Sequence, residues 1–67
     1  MTLEVTNRFG QLLRAKVVCK VTRTRCNVRV QVGNLEHVYP HGIGNDNDYI
    51  LRALGYFDLV VLRVINV

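Results

Sequence analysis

Residues 11–39, QLLRAKVVCKVTRTRCNVRVQVGNLEHVY, alternate in hydropathy with a period of two over most of their length. Leu13, Ala15, Val17, Cys19 and Val21 are apolar or small, and Arg14, Lys16, Val18, Lys20 and Thr22 stand between them. A strand with one face on a core and the other in water reads this way. From Cys26 the parity changes: Cys26, Val28, Val30 and Val32 are apolar, while Asn27, Arg29 and Gln31 are polar. The change predicts a hairpin turning at Thr24-Arg25. It pairs Val21 with Val28, Cys19 with Val30 and Lys20 with Arg29. A four-residue loop would shift these pairs and keep the faces. Gly33-Asn34 is a two-residue hairpin signal. It pairs Val32 with Leu35, Val30 with His37 and Val28 with Tyr39. Three antiparallel strands then share one apolar face, on which both cysteines fall. The opposite face carries Arg14, Lys16, Lys20 and Arg29.

Outward from this meander, Leu3 and Val5 alternate with Glu4 and Thr6, which predicts a short first strand. Asn7-Arg8-Phe9-Gly10 is a turn. Pro40 ends the fourth strand because it lacks a ladder donor. Asn45 or Asp46 caps a helix over 46–54, with Asp48 in the first turn and Gly55 as its stop. Leu59 to Val67 is the last strand; it is apolar on both faces, which predicts a central or doubly covered position. The order is four strands, a helix and a strand. We expect a mainly β (α+β) single domain over 1–67, a five-stranded antiparallel barrel-like sheet.

From Gly10 to residue 64 the chain resembles the OB-fold family of bacterial translation initiation factor one and its eukaryotic and archaeal relatives. The resemblance rests on GQLLRAKVV (10–18), NVRVQVGNLEHV (27–38), HGIG (41–44), YILRAL (49–54) and DLVVLRV (58–64). It implies an RNA-binding barrel active in translation. The chain departs from the family at GNDND (44–48), where the family has a basic loop used on ribosomal RNA, and it has no strand after DLVVLRV. No site residue is therefore carried over onto that loop. The strand at Leu3–Thr6 fills the gap, or the barrel is SH3-like.

The 67 residues carry a net charge of +4, and it is unevenly spread. Residues 1–31 hold seven basic residues against Glu4 alone; residues 32–67 hold Arg52 and Arg63 against four acids. A basic face on a small domain fits an anionic partner such as nucleic acid, an acidic protein surface or a membrane, or else a solvated surface. A chain this short buries only ~60% of its unfolded surface, so a partner or a homodimer would support it. Residues 1–15 lack the apolar core of a signal peptide, and no segment is long enough to span a bilayer, so a cytoplasmic, reducing compartment is expected.

The residue types that carry chemistry do not converge. His37 and His41 lack partners at zinc-finger spacing, and Cys19 and Cys26 do not form a CxxC pair. Neither cysteine stands at a helix start, where a thiolate would be favoured. Asp46 and Asp48 are capping residues. Gly42 and Gly44 make GIG with no lysine after it, so no phosphate loop is expected. We expect no catalytic site, no metal and no cofactor. The expected function is RNA or other nucleic-acid binding through Arg14, Lys16, Lys20 and Arg29, with Arg23 and Arg25 beside them. Phe9 and Tyr39 are the aromatic residues placed to stack a base. The alternative is a small protein of the kind phages and mobile elements encode, which docks on a host protein with an acidic surface and inhibits it. Tyr56 and Phe57 are its candidate anchors.

Overall fold

The computed structural model describes residues 1–7 and 14–67. The chain forms β1 (Thr2–Asn7), β2 (Ala15–Arg23), β3 (Asn27–Val32), β4 (Leu35–Pro40), α1 (Asp46–Tyr56) and β5 (Leu59–Asn66). The strands make one antiparallel sheet in the order β4-β3-β2-β1-β5. The protein is thus mainly β with one short helix. The sheet does not close. β4 and β5 are its two edges, so the barrel expected from the curved meander is not completed by any strand pairing among the described residues.

β2 is shared between two ladders that follow one another along it. Ala15–Val18 pair with β1, and Cys19–Arg23 pair with β3. The sheet is therefore stepped, which fits the long dimension of 39 Å against a width of 23 Å.

The hairpin at Gly33-Asn34 forms with the expected register, pairing Val32 with Leu35, Val30 with His37 and Val28 with Tyr39. Gly33 has φ +58, the left-handed region that this turn needs. The preceding hairpin differs from expectation. Arg23 pairs with Val28, Val21 with Val30 and Cys19 with Val32. The faces hold, but the turn sits one residue further on, centred on Arg25 and Cys26. The Thr24 hydroxyl accepts from the Cys26 and Asn27 amides at 3.3 and 3.1 Å, and the Thr24 amide donates to the Asn27 carbonyl at 2.9 Å. This local side-chain bonding selects the turn. Two corrections follow. Lys20 faces Gln31 rather than Arg29, and Cys26 is exposed in the turn, while Cys19 is buried.

α1 begins as the sequence indicates. The Asn45 side chain accepts from the Asp48 amide at 2.9 Å, and Asp46 and Asp48 occupy the first turn. The helix runs through Gly55, the expected stop, and ends two residues later than expected. Its end is made by Asp58 at φ +57, with the Phe57 amide donating to Ala53 and the Asp58 amide to Gly55. Aspartate tolerates this backbone region better than most residues.

The helix lies on one face of the sheet. Tyr49, Ile50, Ala53 and Leu54 are buried with Leu3, Val5, Cys19, Val28, Val30 and Val32. Each fully buried valine contributes about 1.5–3 kcal/mol. β5 corrects the expectation of a doubly covered strand: it is an edge. Leu59 and Val61 pack on the core, while Val60, Leu62, Val64 and Ile65 are exposed. Its register against β1 shifts twice, between Thr2 and Leu3 and between Glu4 and Val5. No helix among the described residues is long and apolar enough to cross a membrane.

Candidate nucleic-acid interface

Even-numbered residues of β2 point away from the helix, as the alternation predicts. Lys16 and Lys20 are exposed along that side with Val18 between them, and Arg14, also exposed, immediately precedes the strand. Lys16 and Lys20, four residues apart on the strand, stand about 13 Å from each other. At the step where β3 ends and the first half of β2 continues, Lys16, Lys20, Gln31 and Asn34 border an open notch of about 410 Å³. The Gly33 amide closes one side of the step by donating to the Val18 carbonyl at 3.0 Å.

The other expected basic residues are drawn elsewhere. Arg29 pairs with Glu36 at 3.1 Å. Arg23 points to the helix side, where its guanidinium donates to Asp46 at 2.9 Å and to the Gly44 carbonyl at 2.7 Å. It also lies 5.2 Å from the centre of the Tyr49 ring. Arg23 therefore fastens the loop after β4 to the start of α1. Arg25 is exposed at the hairpin tip. Phe9 lies outside the described residues. Among those described, Arg14, Lys16 and Lys20 form no ion pair, although Glu4 stands across the ladder from Lys16 and itself meets Arg63 at 3.6 Å.

The GIG stretch has a packing explanation. A side-chain carbon at Gly42 would stand 3.0 Å from the Tyr49 hydroxyl, and one at Gly44 would stand 3.3 Å from the Tyr49 ring. The glycines let the loop lie against a buried tyrosine.

A second group of residues gathers at the β4 edge beside the end of α1. The His37 ring lies 4.1 Å from that of Tyr56, tilted by 33°, and 4.5 Å from Tyr39 edge to face. Phe57 meets Tyr56 edge to face at 5.2 Å. Tyr56 is largely exposed and Phe57 half-buried. Burial pushes the Tyr39 hydroxyl up, with the Arg52 cation pulling the other way. The parity of β4 placed His37 and Tyr39 on the helix side, but nothing in the spacing shows that Tyr56 folds back onto them. His41 is exposed in the following loop. Among the described residues no group of three or more His, Cys, Asp or Glu is placed to hold a metal ion.

No family model matches the chain, and no curated protein and no solved structure does so either.

Proposed function

We propose that this is a non-catalytic binding protein that contacts RNA or another single-stranded nucleic acid through Arg14, Lys16 and Lys20. One observation carries the reading: Lys16 and Lys20 stand on one strand and border an open notch, Arg14 immediately precedes that strand, and none of the three has an acidic ion-pair partner among the described residues. Arg29 and Arg23 are excluded from the contact set because acids already hold them. Phosphate contact of this kind positions a strand without reading its sequence. The use of β2 in two ladders supports reading the sheet as an incompletely closed OB-like or SH3-like barrel. The resemblance to the initiation-factor family supports RNA over DNA, and a cytoplasmic role in translation.

The test is the salt dependence of binding to a fluorescent RNA oligomer. Lys16→Gln with Lys20→Gln should weaken binding equally for all sequences. The slope of log affinity against log salt should flatten by about one unit or more. An unchanged slope with unchanged affinity would falsify the assignment.

A second reading is favoured by the other edge. β5 exposes Val60, Leu62, Val64 and Ile65. Beside it an apolar groove of about 240 Å³ is lined by Met1, Leu3, Ile50, Leu54, Val61 and Val64, among others. This surface suits the addition of an apolar strand from a protein partner. A complex that survives nuclease and is broken by Leu62→Lys would establish it.

A further inference from the structure

The lysine row offers cations and no aromatic ring. The rings are at the β4 edge. Tyr56 is 63% exposed although it ends a helix that packs on the core. One side of it is supported by His37 at 4.1 Å, and Phe57 touches it edge to face. A supported, exposed ring is the arrangement on which unpaired bases stack, and stacking tolerates any base because each has a π face. One turn earlier on α1, the exposed Arg52 has its guanidinium 5.3 Å from the Tyr49 ring and forms no ion pair among the described residues. Arg52 and Tyr56 are four residues apart on α1, so the cation lies on the same side of the helix as the exposed ring.

The two surfaces are connected by the hairpin between β3 and β4. Asn34 borders the lysine notch, and His37 is three residues further along the chain, about 10 Å at strand rise. β4 is an edge, so no neighbouring strand stands in the way. The lysines and His37 lie on opposite faces of the sheet, so a single strand joining them passes around the free β4 edge.

We propose that the His37–Tyr56 stack is a platform for an unpaired nucleobase, with Arg52 beside it for the adjoining phosphate. This rests on the nucleic-acid reading given above and adds the place where a base is held. An intramolecular cluster that only sealed the end of α1 would not leave Tyr56 so exposed.

The experiment compares two oligomers of equal length and charge, an eight-nucleotide uridine strand and its abasic ribose-phosphate counterpart. Binding is followed by anisotropy and by quenching of tyrosine emission, and folding of each variant is checked by circular dichroism. Tyr56→Ala should weaken the uridine strand about tenfold or more and leave the abasic strand unchanged. Tyr56→Phe should bind as the parent does. Lys16→Gln with Lys20→Gln should weaken both strands. A Tyr56→Ala variant that binds both oligomers as before, or loses both equally, overturns the platform while the lysine result still stands. Failure of the parent to bind either oligomer overturns the platform and the nucleic-acid reading together. Loss of a nuclease-resistant protein complex in Tyr56→Ala, with oligomer binding intact, would make Tyr56 a protein anchor instead.

Discussion

The two halves of the sheet use the same kind of residue to different ends. β3 alternates strictly, and its three inward valines are at most 1% exposed. β5 is as rich in valine and leucine, yet Val60, Leu62 and Val64 are 41–54% exposed. The difference lies in what covers each strand. The helix packs on both strands, but β3 has a strand on either side and polar residues on its outer face, whereas β5 has a neighbour on one side only and carries Val60 and Leu62 on the face turned from the helix. Apolar content therefore does not locate the core of this protein. Apolar residues at every second position, between two short turns, do.

The largest effect that tests this comparison is chemical. Cys19 lies where the two ladders meet on β2 and is buried, whereas Cys26 is exposed in a turn. A thiol reagent should label Cys26 at once, and Cys19 about a thousandfold more slowly or slower still, as the fold opens. Equal rates would mean that the junction of the halves is open. Burial also pushes the Cys19 thiol above its ordinary value, with the N-terminal ammonium pulling the other way. The sign follows from linkage. Below the ordinary thiol range both states keep the proton and stability is unaffected by this group. Above it the unfolded chain releases the proton first, so stability falls as pH rises through the folded value. Cys19→Ala should remove that part of the alkaline loss in a urea melt.

Equivalent truncations in the two halves come next. Val30→Ala should cost about 2–3 kcal/mol, from the lost transfer energy and the cavity left behind. Val64→Ala should cost under about 1 kcal/mol, since the side chain is already half in water. Urea denaturation midpoints measure both, and similar costs would break the distinction between the strands.

Two glycines sharpen it further. Gly33→Ala should cost about 1–2 kcal/mol, because its φ is +58 and the new carbon would meet the Val17 side chain at 3.3 Å. Gly55→Ala should stabilise by about 0.5–1 kcal/mol, because nothing lies within 4 Å and the residue is helical. A thermal melt distinguishes the signs. The smallest effect is at the exposed edge. Leu62→Lys should change stability by no more than about 0.5 kcal/mol while lowering any concentration-dependent association through β5.

Most of the meander was legible in the residues. Gly33-Asn34 set the register of β3 against β4 because only a narrow set of turns fits two residues. Asn45 and Asp48 marked the start of α1. The turn after β2 was not legible to the residue, because the Thr24 hydroxyl competes with the backbone for the same amides. β5 was misplaced because a strand apolar on both faces looks the same whether covered or bare. The candidate site was legible as a face but not as a set of available charges. Glu36 and Asp46, which occupy Arg29 and Arg23, belong to β4 and α1 and reach them only through the fold. The stack at Tyr56 likewise needs the helix to return over the β4 edge.

β1 and β5 also join the most distant parts of the chain, with Thr2 opposite Asn66 and Asn7 opposite Leu59. The meander of β2, β3 and β4, by contrast, closes only short loops. Ordering a long loop before its contacts form is what slows folding, since the entropy is lost first and the contacts follow. The β2–β3–β4 unit and α1 can therefore assemble early, while the β1–β5 ladder must wait for both ends of the chain to meet. In kinetic terms β5 is the latch. Substitutions in it should show mainly in the unfolding rate, and those in β3 mainly in the folding rate.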